Sequence, residues 1–156
     1  MTTTMATEIT RIEQRNQNDC MVCCLAMAAG LTYEDVLEML PCAPGDMVTV
    51  GDMEIPYGVT PYEATVLMMR SGRAAGYFTL MESTGEGWPV ANVDTDGLRR
   101  CLRAFETPAV VIVESQIGLH AMTWDPVRRV LINPMRGAGQ PVDLDLITPV
   151  GYVCVH

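Results

Sequence analysis

Cys20 is the residue in this chain best suited to act as a nucleophile. It opens the run CMVCCLAMAA (residues 20–29), which is apolar throughout and is followed by Gly30. An all-apolar run of about three turns reads as a buried central helix. Asp19 is a good N-cap for it and Gly30 a good C-terminal stop. Cys20 is therefore expected in the first helical turn. A helix N-terminus and a neighbouring imidazole both favour the thiolate, the reactive form of cysteine. The chain has two histidines. His156 is the last residue and is expected to be mobile. His120 follows Gly118-Leu119 and opens a β-prone run, a rigid place from which an imidazole can face a helix end.

An imidazole that shuttles protons needs a group to hold its orientation. In HAMTWDPVRRVLINP (120–134), two β-prone runs flank Asp125-Pro126. Pairing them about that turn brings Asn133 close to His120, where its side chain can accept the ring N–H and fix the tautomer. A developing oxyanion needs a donor. Gln14 lies six residues before Cys20 and can bring its side-chain amide beside the Cys20 backbone N–H. Gln17 competes for that role, but with only three residues of chain to do so.

The other chemistry-bearing residues read as structural. Cys23 and Cys24 belong to the buried helix. Cys20, Cys23, Cys24 and Cys42 contain a Cys-x2-Cys pair, but a zinc site needs a second pair at similar spacing, and no metal or cofactor is expected. Asp125 reads as a turn residue. Trp88 and Trp124 read as packing residues, and the twelve Met residues as core filler.

The elements that must position these residues follow from periodicity and caps. Thr32 with Asp35 resembles a capping box for a second helix carrying Val36, Leu37 and Leu40 and ended by Pro41. A turn-rich stretch (PCAPGDMVTVGDMEIPYG) follows. Thr60-Pro61-Tyr62-Glu63 starts a helix that runs to about Arg70. Residues 76–81 read as a strand, 83–89 as a loop and 94–105 as an amphipathic helix. Then 108–114, 120–124, 127–132 and 151–155 read as strands. Helices first and an antiparallel meander afterwards is an α+β arrangement.

The 156 residues fit one domain over 1–156, with residues 1–8 expected to be flexible. A net charge of −9 argues against nucleic acid and anionic membrane as partners. All ten basic residues are Arg, so lysine-based covalent chemistry is excluded. This reads as a GC-rich coding genome. No signal sequence and no run of 18 apolar residues is visible, so a cytosolic protein with reduced cysteines is expected.

The stretch Q-R-N-Q-N-D-C-M-V-C-C-L-A-M-A resembles the active-site segment of the bacteriocin-processing peptidases, papain-like enzymes that remove double-glycine leader peptides. Gln14, Asp19, Cys20, Cys24 and Leu25 match position by position. H-A-M-T-W-D and V-L-I-N-P resemble the family's histidine strand and the strand after it. Met21 stands where Gly is usual, and Asn133 where Asp is usual. The resemblance spans roughly residues 14–36 and 108–137. It implies a papain-like fold, with the nucleophile on a central N-terminal helix packed on a C-terminal antiparallel sheet. It implies a cysteine peptidase using Cys20, His120, Asn133 and Gln14 on a peptide or protein substrate with small residues before the cut. Deamidation or transglutamination would use the same residues. The alternative is a weakly active or inactive peptidase-fold protein that binds a cellular protein, a reading to which Met21 gives weight.

Overall fold

The computed structural model describes residues 8–79, 94–116 and 118–156. Helix α1 (Cys20–Ala29) buries Met21 to Ala28 without interruption. No polar stripe exists because neighbouring elements cover it on every side. Gly30 ends it in the left-handed conformation (φ 65°), with its N–H on the Ala26 carbonyl. Asp19 occupies the N-cap position, but its side chain makes no capping bond. That is a departure from the expected cap, and the carboxylate is used elsewhere.

Helix α2 (Tyr33–Glu38) has the full capping box, with Thr32 and Asp35 each accepting the other's backbone N–H. Strands β1 (Met47–Val50) and β2 (Met53–Pro56) form an antiparallel hairpin about Gly51-Asp52. The sequence suggested only turns here. The hairpin stands almost wholly exposed, so its strands carry no alternation of apolar and polar residues. Gly51, at φ 60°, supplies the backbone that a two-residue hairpin turn requires.

Helix α3 (Pro61–Arg70) starts at the Thr60 cap, as the sequence predicts. Glu63 does not complete a capping box; it accepts the Tyr57 hydroxyl at 2.6 Å. Strand β3 (Ala75–Thr79) covers most of the strand expected at 76–81. The end of that strand, the 83–89 loop and Trp88 lie outside the described residues. Helix α4 (Thr95–Ala104) is capped by Asp94. Strands β4 (Ala109–Ser115), β5 (Gly118–Asp125) and β6 (Val130–Ile132), a short 3-10 turn (Leu144–Leu146) and β7 (Thr148–Val155) complete the order.

The five-stranded antiparallel sheet runs β3-β7-β4-β5-β6. The expected meander holds for β4 to β6. β7 departs from it, returning to the far side of β4 with β3 beyond. β4 thus becomes an interior strand covered on both faces, which is why AVVIV is apolar without alternation. Val110 and Ile112 join α1 to α3 on one face. Ala109, Val111 and Val113 join Trp124 and the α4 residues Leu98 and Leu102 on the other. Helices therefore flank the sheet on both sides, with α4 alone on the second.

Residues 9–15 lie along the segment 125–137, a position with no signal in the sequence. Ile9 is held at Asp125 and Arg128, and Arg11 and Gln14 at residues 133–135. At the other end of the chain, His156 exchanges two backbone hydrogen bonds with Ala74 (2.8 and 3.0 Å). The expected mobility of that residue is not observed for its main chain. No helix among the described residues is long and apolar enough to cross a membrane.

Candidate active site

The first turn of α1 meets β5 one residue beyond His120. The backbone N–H groups of Ala121 and Met21 lie close enough to the half-buried Cys20 sulfur to favour its thiolate. Burial works against that charge and is the larger influence. The Asp19 carboxylate adds repulsion, and the thiol ends above its ordinary range. The sequence-based expectation of a thiolate favoured by the helix N-terminus is thus outweighed. Among the described residues no hydrogen bond joins the Cys20 sulfur directly to the His120 ring.

Asn133 follows the last residue of β6, where Ile132 pairs with Thr123 of β5. Continuing that register sets Asn133 across from Met122, on the same side of the ladder as His120. The His120 Nε2 lies 2.8 Å from Asn133 Oδ1. The same oxygen accepts the Met135 backbone N–H at 3.0 Å. An atom that accepts an N–H is the amide oxygen, so the ring nitrogen facing it must donate. In the neutral ring the proton therefore resides on Nε2, which leaves the lone pair on Nδ1.

The main chain around Asn133 is fixed from outside. Arg11 donates to the Asn133 carbonyl (Nε, 2.9 Å) and the Met135 carbonyl (Nη2, 2.6 Å). The Gln14 backbone N–H donates to the Pro134 carbonyl between them at 2.7 Å. Arg11 and Met135 are contributors that the sequence did not reveal. Arg11 lies more than 120 residues from Asn133 and Met135, and only the folded chain relates them.

Gln14 is almost buried. Its side-chain amide donates to the Asn16 carbonyl at 3.1 Å, which leaves a second N–H on the same nitrogen. Gln17 lines a shallow recess of about 300 Å³ together with Gln14, Asn16, Met135 and Arg136. Asp19 is fully buried. Its Oδ2 accepts the backbone N–H groups of Arg15 (2.9 Å) and Asn16 (3.3 Å) and the Tyr33 hydroxyl (2.9 Å).

Some residues with bland readings hold to them, but among the described Met residues Met47, Met53, Met69 and Met135 are exposed rather than core filler. Cys23 and Cys24 are sealed in the core; burial pushes the Cys23 thiol up to about 12 and that of Cys24 well above its ordinary range. Met21 packs into the core at 4% exposure rather than projecting from the helix end. Trp124 is buried against α4. Asp125 was expected in the turn; it is the last residue of β5, paired with Val130, and its buried carboxylate accepts from Val127 and Arg128 of the turn that follows and from Ile9. Among the described residues no group of three His, Cys, Asp or Glu side chains is arranged to hold a metal ion.

No protein-family model matches the sequence, and no curated protein matches it either. Solved structures do. The chain is similar to a double glycine motif protease from an AMS/PCAT transporter, crystallised in complex with the leader peptide. The TM-score is 0.62 at 12% identity, over 98% of this chain and 94% of that one. The fold is that of the papain-like cysteine peptidases, α+β, with helices followed by the five-stranded antiparallel sheet.

Proposed function

We propose that the chain is a cysteine peptidase, one domain over residues 1–156, that cleaves peptide bonds through Cys20, His120 and Asn133 with Gln14 as oxyanion donor. The observation that carries this reading is the hydrogen bond between His120 Nε2 and Asn133 Oδ1 (2.8 Å), one residue along β5 from the Ala121 N–H that reaches the Cys20 sulfur. It leaves Nδ1 of the imidazole as the available base, in a fold shared with a protease crystallised on its leader peptide.

The chemistry follows from that tautomer. The thiol is protonated at neutral pH when considered without the imidazole, so its proton must pass to His120 Nδ1 as the sulfur attacks the carbonyl carbon. Asn133 Oδ1 holds the ring through Nε2–H during the transfer. The tetrahedral oxyanion is met by the free N–H of Gln14 and the Cys20 backbone N–H. His120 returns the proton to the departing amine, and water then releases the acyl group from sulfur. Catalytic hydrogen bonds are often loose before substrate arrives, which accommodates the absence of a sulfur–imidazole bond. A peptide with small residues before the cut is the substrate class the family resemblance implies. Attack on a side-chain amide would use the same groups.

One observation favours a second reading, that of a peptidase-fold binding protein: burial and Asp19 both hold the thiol in its unreactive form. Labelling with a thiol-directed peptide electrophile separates the two. The peptidase reading expects wild type to label at Cys20, His120→Ala to label at least tenfold more slowly near neutral pH, and Cys20→Ala not to label there. Equal labelling of Cys20 with and without His120 would overturn the activated-thiol mechanism.

A further inference from the structure

We infer that Asp19 is a positioning residue that sets the Gln14 amide beside Cys20, with Tyr33 holding the carboxylate in place. The inference rests on the peptidase reading for its purpose, but not for its test.

A carboxylate immediately before a helix ordinarily caps it. Asp19 does not. Its Oδ2 instead reaches back over the preceding loop and accepts the N–H groups of Arg15 and Asn16. Asn16 is the residue whose carbonyl receives the Gln14 side-chain amide. The main chain of residue 16 is thereby gripped on both sides, by Asp19 at its N–H and by Gln14 at its C=O. The direction of the Gln14 amide is referred through one residue to the start of α1, where Cys20 begins. The Gln14 backbone is fixed independently on the Pro134 carbonyl. With both ends of Gln14 anchored, its second N–H is held to one direction.

Burying this carboxylate has costs. It is fully buried, its Oδ1 has no hydrogen-bond partner among the described residues, and its charge opposes ionisation of the Cys20 thiol. A helix cap alone would not explain these costs, since the cap is not made. Tyr33 closes the arrangement: its hydroxyl donates to Oδ2, and the Arg15 guanidinium lies 3.8 Å above its ring while pairing with Glu34. The first turn of α2 thus braces the loop that precedes α1.

The test compares Asp19→Ala, Asp19→Asn, Tyr33→Phe and Gln14→Ala in the full chain, with two readouts. The first is the side-chain amide proton pair of Gln14 in ¹⁵N NMR, identified by its loss in Gln14→Ala. It is expected away from the free-glutamine position in wild type. Asp19→Ala should collapse it to that position, and Asp19→Asn, which keeps an oxygen acceptor, should preserve it. Tyr33→Phe should shift it part of the way. The second readout is kcat/KM on a fluorogenic peptide. Asp19→Ala should cost about tenfold, mostly in kcat, and Gln14→Ala about 100-fold. Adding Asp19→Ala to Gln14→Ala should then cost nothing more. A Gln14 signal unmoved by Asp19→Ala overturns the inference, as does an additive double variant. If Asp19→Ala fails to fold, Tyr33→Phe carries the comparison, and a Gln14 signal that it leaves unmoved overturns the inference. If wild type cleaves no peptide, the functional reading fails while the amide signal still decides the role of Asp19.

Discussion

Burial and the Asp19 carboxylate both hold the Cys20 thiol in its protonated form, and Asp19 is the part that can be removed without opening the core. Replacing it with Asn keeps the shape and deletes the charge. The midpoint of Cys20 alkylation by iodoacetamide should then move to lower pH, with faster labelling at pH 7. An unchanged midpoint would mean that burial alone sets the thiol. On the imidazole side, Asn133→Ala removes the only hydrogen bond that fixes the His120 ring among the described residues. Peptide turnover should fall about 10- to 100-fold in kcat with KM little changed, measured by steady-state kinetics. Much of this constellation was legible beforehand. His120 is one of two histidines, and the turn after Asp125 makes its proximity to Asn133 a matter of register. Asp19 was misread because a carboxylate before a helix almost always caps it. Nothing local signals that its partners lie on the loop behind and on α2.

At the scale of the elements, α1 carries three thiols that the folded chain keeps protonated, two of them, Cys23 and Cys24, fully buried. Cys23 is pushed from its ordinary value of 9.0 up to about 12, chiefly by burial, with the Asp19 charge adding to it. Between those values the unfolded chain releases a proton that the folded chain retains. Stability is therefore full below about pH 9 and falls as pH rises toward 12, by up to about 1.4 kcal/mol per pH unit for one group. Urea unfolding at pH 8 to 11 should show a shallower decline in Cys23→Ala than in wild type. The sheet has its own weak point. A Cβ on Gly151 would stand 2.6 Å from the Phe78 carbonyl oxygen where β3 crosses β7. Because the obstacle is backbone, Gly151→Ala should cost roughly 2 kcal/mol in chemical denaturation. Caps and apolar runs gave away α1 to α4 because those signals are local. The β1–β2 hairpin was missed because its exposed strands bury nothing, and the place of β7 between β3 and β4 is a long-range pairing that no window of sequence contains.

At the scale of the whole molecule, Asp125 ties the N-terminal segment at Ile9 to the turn between β5 and β6. Burial disfavours its charge, but the Arg128 guanidinium and the N–H groups of Arg128, Val127 and Ile9 outweigh that and hold the carboxyl below its ordinary range. A lowered carboxyl stabilises the fold above about pH 4 and loses that contribution as pH falls through its folded value. Asp125→Ala should destabilise by roughly 3 kcal/mol at pH 7 and by clearly less at pH 3, read from urea midpoints. Equal losses at both pH values would mean that the carboxylate acts only through shape. The sequence placed this residue in the turn, and the structure places it at the end of β5. That the turn also receives Ile9 was beyond it, because residues 9–15 carry no periodicity and owe their position to partners about 120 residues away.

That lacing has a consequence in time. During synthesis Cys20 and Gln14 emerge early, but the carbonyls that orient Gln14 and Arg11 belong to residues 133–135. Contacts of such sequence separation form late in folding. A nascent chain therefore carries its thiol for most of its length with neither base nor oxyanion donor in place. On the peptidase reading, the chain remains inert toward its neighbours on the ribosome until residues 133–135 have been made.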